Sequence, residues 1–205
     1  MWAVPTFLLA TWWSKRLLAA WPVSSPRTFR VLWAVGSVSA FVVLTVATTN
    51  QTDGSWFSPV WLAWGAVIGV VGSLLAIDVA ARRLPRQLSL PAFGVSLVVL
   101  SLVEGPAGRG GPILGALAMI GVAVVLRVVT RGSLGLGDVL LSPLLGVVLG
   151  WFDPAAVVVA WVLTAGFGGV GALVSLLRGK RPDSVIAYGP ALLVGTAAAL
   201  LGVAW

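Results

Sequence analysis

Long uncharged apolar runs recur along this chain, and they constrain its fold more than any other feature. About 20 apolar residues in helical form span the hydrocarbon core of a bilayer. Runs of that order lie at 30–49, 59–77, 112–129, 154–177 and 188–205, with shorter ones at 90–104 and 138–152. Only 9% of the 205 residues are charged and 59% fall in the hydrophobic set, where a soluble domain carries roughly a quarter charged residues. A soluble fold has no interior large enough to hide this much apolar surface. The expected fold is therefore all-α, a polytopic transmembrane helical bundle of about seven or eight segments.

The charges test that arrangement. With loops 14–30, 78–89, 130–137 and 178–187 placed on one side, that side holds Lys15, Arg16, Arg27, Arg30, Arg82, Arg83, Arg86, Arg131, Arg178, Lys180 and Arg181. Arg127 sits one turn inside its helix end, and the opposite side keeps only Arg109 beside Asp53, Glu104 and Asp153. Twelve of the 13 cations thus fall on one face, which the positive-inside rule makes cytoplasmic. The net charge of +7 is explained by topology, so no nucleic-acid partner is expected. Trp56, Phe57, Trp61, Trp151 and Phe152 fall near the outer boundary, where an aromatic belt is expected.

Residues 1–205 read as a single membrane domain. Residues 1–30 form a short hydrophobic segment, interfacial or a strained span, followed by a basic cytoplasmic loop. Residues 59–190 hold the chemistry. Gly65-x-x-x-Gly69 and Gly146-x-x-x-Gly150 are spaced for close helix packing.

The chain has no cysteine and no histidine. Thiol catalysis, cysteine-based zinc sites and the usual general base are excluded on that ground, and neither a metal nor an organic cofactor is expected. Six acids remain. Asp53, Glu104 and Asp153 fall in outer loops, and Asp153, before Pro154, is placed to cap the following helix. Asp183 balances charge in a basic loop. Asp78 and Asp138 differ, because each borders an apolar run at the cytoplasmic edge. An ionisable group at membrane depth is costly and points to function. The competing structural roles are a helix-end acid pairing Arg82 for Asp78, and an N-cap for Asp138.

Two carboxyls held close together share a proton, because both cannot ionise cheaply. One can then act as base on a water while the other donates to a peptide carbonyl. Gly135 and Gly137 leave the backbone beside Asp138 bare for an extended substrate.

Three stretches give these residues a family likeness. They are Ile77-Asp78 through Arg83-Leu84-Pro85 to Leu90-Pro91; Gly135-Leu136-Gly137-Asp138-Val139 with Pro143 and Gly146; and Tyr188-Gly189-Pro190. In that order and spacing they resemble the bacterial type IV prepilin peptidases, membrane aspartic proteases of the Gly-x-Gly-Asp type. The resemblance implies Asp78 and Asp138 as the catalytic pair, with Pro85, Gly135, Gly137, Tyr188, Gly189 and Pro190 binding substrate or shaping the site. It implies cleavage of the basic leader from prepilin-like membrane proteins at the cytoplasmic face of the inner (plasma) membrane, amid anionic headgroups. Departures exist: Leu140 stands where the family has lysine, Arg86 where it has Asn or Asp, and Tyr188 where it usually has Phe. The paired Cys-x-x-Cys motifs of the methylating domain in longer members have no counterpart, so the likeness is to peptidase-only members. Two rival readings are an inactive membrane subunit of a pilus or secretion assembly, and a small transporter using the two aspartates as proton or cation sites.

Overall fold

The computed structural model describes residues 86–132, 134–177 and 188–203, preceded by helical residues 34, 37–38, 40–45, 48, 60, 63–65, 67–68 and 71. Five helices follow in order: α1 (Arg86–Leu102), α2 (Gly111–Val129), α3 (Leu136–Phe152), α4 (Ala156–Leu177) and α5 (Gly189–Val203). All regular structure among the described residues is helical. The ends agree with the apolar runs to within four residues, because charge and glycine–proline punctuation stop each run where the helix stops. The count of seven or eight segments rests in part on residues outside those described.

Two stretches, Gly111–Val129 and Ala156–Val174 of α4, are long and apolar enough to cross a membrane, with mean hydropathies of 2.3 and 2.1. Nineteen residues span about 28 Å as a helix, close to the thickness of the hydrocarbon core. Their outer faces present Leu114, Leu117, Val125, Val158, Val162 and Val170 to the surroundings. Water would penalise such a surface, whereas lipid accepts it.

The inner helix is α3, on which every residue from Leu141 to Phe152 is buried. It packs most closely on α2, and the cause is glycine. A Cβ on Gly111 would lie 2.3 Å from the Gly150 carbonyl oxygen, and one on Gly146 would lie 2.4 Å from that of Gly115. The 146/150 spacing therefore does pack helices, and its partner is Gly111-x-x-x-Gly115 on α2. The two backbones meet where only hydrogen side chains fit. A second antiparallel pair is α4 with α5, where Gly195 faces the Thr164 hydroxyl and the Ala160 carbonyl. Packing of α3 against α4 and α5 is sparser.

The far end of the bundle is aromatic. Trp64 stands edge-on to Trp151 at 5.6 Å and stacks on Phe152 at 5.9 Å. The Trp64 indole donates to Thr48 at 3.0 Å. Trp151 is 1% exposed. Trp151 and Phe152, at the end of α3, are thus turned into the bundle, which corrects the belt expected of them, while Trp56, Phe57 and Trp61 lie outside the described residues. The glycine seam draws that face of α3 into the bundle.

Candidate functional site

The turn between α2 and α3 delivers the Gly-Leu-Gly-Asp segment. Arg131 adopts a left-handed conformation (φ 52°) and Gly132 follows at φ 85°. The Gly132 N–H donates to the Arg127 carbonyl at 2.7 Å, and the Arg131 N–H to that of Val128 at 3.1 Å. This paired closure ends α2 and satisfies its last carbonyls. The Arg127 guanidinium then reaches across the turn and donates to the Leu134 carbonyl. A cation in the last turn of a helix also answers the negative end of its dipole.

Gly135 is the N-cap of α3, and Asp138 lies three residues on, inside the first turn. Asp138 is therefore not the N-cap; Gly135 takes that place, with its carbonyl accepting the Asp138 and Val139 N–H groups at 3.1 and 3.3 Å. The helix N-terminus favours a negative charge there. Asp138 is 7% exposed, and one carboxyl oxygen folds back over Gly135, where a Cβ would meet it at 2.9 Å. Gly135 has φ −58° and ψ 139°, open to any residue, so a side chain there would meet only the carboxyl and have to push it aside. Ser142 ties the next turn by donating to the Asp138 carbonyl at 2.7 Å.

Asp138 is also recessed. The register that sets Gly111 against Gly150 and Gly115 against Gly146 places Ala123 level with Asp138. Helix α2 continues six residues further, to Val129, about 9 Å at the rise of an α-helix.

Tyr188-Gly189-Pro190 opens α5. The Tyr188 carbonyl accepts the Leu192 N–H at 3.1 Å, and Pro190 occupies a first-turn position where its missing N–H costs nothing. Gly189 is buried. The tyrosine ring lies on Gly168 of α4, whose added Cβ would be 3.2 Å from Cε2. The structure thus sets Gly135 against the Asp138 carboxyl, with Gly137 half-buried on the same turn, and seats Tyr188 on α4 at the start of α5. Asp78 and Pro85 lie outside the described residues.

A cavity of about 260 Å³ follows the site along the helices. Its walls include Leu145 and Val148 of α3, Pro190 and Leu193 of α5, and Leu44 and Val67. Two further residues act near the site: Gly168 seats the Tyr188 ring and Arg127 braces the turn before Asp138. Arg127 was legible only as a helix-end cation, and Gly168 is lost among the neighbouring glycines 166, 169 and 171.

At the opposite end, Asp153 accepts the Ala155 N–H at 2.9 Å at the start of α4, the capping role read from Asp-Pro.

A family model for the type IV leader peptidase family matches residues 66–205. The chain belongs to that family. The match includes all three stretches that carried the likeness and both Asp78 and Asp138. Comparison with curated proteins returns no match, and neither does comparison with solved structures. Membership makes the chain a peptidase of the leader-peptidase kind, and its two spanning helices fit membrane insertion.

Proposed function

We propose that this member of the family is a membrane-embedded aspartic endopeptidase that removes the basic leader of type IV prepilin-like proteins. Asp78 and Asp138 form the catalytic pair, and the reaction takes place at the cytoplasmic face of a bacterial inner membrane. The observation that carries the reading is a buried carboxyl, Asp138, held at a helix N-terminus within the family's matched stretch.

In this reading one carboxylate takes a proton from water as the water oxygen attacks the scissile carbonyl carbon. The other carboxyl gives its proton to the carbonyl oxygen. The tetrahedral gem-diol then collapses: one of its hydroxyls returns a proton to the carboxylate that gave one up, the C–N bond breaks, and the other carboxyl passes the water's proton to the departing amine. Sharing one proton between two close carboxyls prepares both roles at once. Every step uses carboxyls and water, so no metal or organic cofactor is invoked. With no cysteine in the chain, we assign it no methyltransferase activity. Its partners are prepilin-like substrates and the surrounding anionic lipid, whose headgroups the basic loops would face. The cavity beside α3 and α5 is apolar along its length and suits the hydrophobic helix that follows a leader.

Co-expression with a candidate prepilin tests the reading. The expected result is a gel shift marking leader loss with the wild-type chain and none with Asp138→Asn or Asp78→Asn. Undiminished cleavage by a well-folded variant of either aspartate would remove that residue from the mechanism.

A further inference from the structure

The cavity beside α3 and α5 is walled by alkyl groups. On α5 the wall runs from Pro190 to Leu200, about 15 Å at the rise of an α-helix. Leu145 and Val148 of α3 belong to the same wall and are buried. Thr196 is the one polar side chain among the described wall residues, and its hydroxyl already donates to the Leu192 carbonyl at 2.8 Å. A water held in a cavity needs about two to four polar partners, which these walls do not supply. Left empty, the space would deprive its lining of dispersion contacts. An apolar occupant is what it accepts.

Size narrows the choice. A helix about 10 Å across would occupy on the order of 1,000 Å³ over that length, against a cavity of about 260 Å³. A helix can therefore lie along the mouth but not within, whereas a single alkyl chain is thin enough to enter. The route in is also visible. Val194 lines the cavity and is half exposed on the outside of α5. The cavity is thus continuous with the apolar surface that the bundle turns to lipid.

We propose that this cavity is a lipid site, filled by one acyl chain of a bilayer phospholipid that enters past Val194. A lipid tail is as apolar as leucine, so it loses nothing in solvation on leaving the bilayer core. The walls gain contacts that no other neighbour gives them, and the cost is the ordering of one chain. The site rests on the membrane fold and not on the peptidase reading. If that reading holds, a substrate helix lying along the same mouth has to displace the tail, and lipid and substrate compete.

Burial makes the test specific. Lipid surrounding the bundle can touch Val162 and Val170 of α4, which are exposed, but cannot reach Leu145 or Val148. The full chain is reconstituted in phosphatidylcholine vesicles carrying a phosphatidylcholine with a photoreactive diazirine on its acyl chain. After irradiation, the adducts are mapped by mass spectrometry of peptides. We expect adducts on Leu145 and Val148 as well as on Val162 and Val170. Adducts confined to the exposed residues overturn the proposal, and a second copy or another segment of this chain seated in the cavity would give that result. Ala197→Phe fills the cavity from α5 and should lose the adducts on Leu145 and Val148 while keeping those on Val162 and Val170. Their full retention in a folded Ala197→Phe protein also overturns the proposal, because the label would then be arriving by another route. If Ala197→Phe does not fold, the wild-type map decides alone. None of these readings requires turnover, so a chain that cleaves no leader would end the peptidase reading and leave the lipid site standing.

Discussion

Gly115 of α2 meets Gly146 of α3 so closely that a methyl group on Gly115 would fall 2.2 Å from the Gly146 carbonyl oxygen. The obstacle is backbone, which has no rotamer to yield. Gly115→Ala and Gly146→Ala should each destabilise the protein by about 3 kcal/mol, at the upper end of overpacking costs. Gly121, with nothing within 4 Å of an added Cβ, is the matched control. Gly121→Ala should leave stability unchanged or raise it by up to about 1 kcal/mol. Thermal unfolding in detergent checks both.

At the start of α3 the expectation reverses. The Gly135 backbone admits alanine, but the Cβ displaces the Asp138 oxygen at 2.9 Å. Gly135→Ala should therefore stay within about 0.5 kcal/mol of wild type in stability. Its kcat should fall on the order of a hundred-fold, as misplacing a reacting group by an ångström can do. Equal losses of stability and activity would assign Gly135 a packing role instead.

The turn after α2 gives a stability prediction unconnected with catalysis. Arg131 holds a left-handed conformation that only glycine adopts without cost. Arg131→Gly should raise stability by about 1 kcal/mol, while Gly132→Ala, at φ 85°, should lower it by a similar amount. Chemical denaturation of each variant at fixed detergent concentration measures the difference.

The two aspartates should behave as a unit. If both act on one water, Asp78→Asn and Asp138→Asn each abolish cleavage, and the double variant is no worse than either single one. Asp53→Asn and Asp153→Asn should cleave near the wild-type rate. Asparagine at 153 keeps a side-chain oxygen for the Ala155 N–H. Measured leader loss that multiplies across the two sites would mean they act independently.

What the sequence made legible was set by scale. Helix positions followed from apolar runs of membrane length, and Asp138 stood out because an acid beside such a run needs a reason. The orientation of each helix about its axis was harder to read. Trp151 and Phe152 look like belt residues when hydropathy is read along the chain. Their inward turn depends on the glycine contact between α2 and α3, and the Gly111-x-x-x-Gly115 half of that contact was present in the sequence but not singled out. Asp138 reads as an N-cap because the residue before a helix and the residue three places inside it look alike until the helix start is fixed. Gly168 carries no local signal, since its importance comes from a ring 20 residues away. The pairing of Asp78 with Asp138 concerns a residue outside those described, and it stands as a proposal for experiment.

The unequal packing of the bundle has a mechanical consequence. Helices α2 and α3 are pressed backbone to backbone, and α4 and α5 form a second close pair, whereas α3 touches α4 and α5 more lightly. The lighter seam between the pairs is therefore where the bundle should yield first, and the apolar cavity beside α3 and α5 opens along it. Asp138 belongs to one body and Tyr188 to the other. A cross-link tying α3 to α5 should therefore stiffen the bundle more than one placed within either pair.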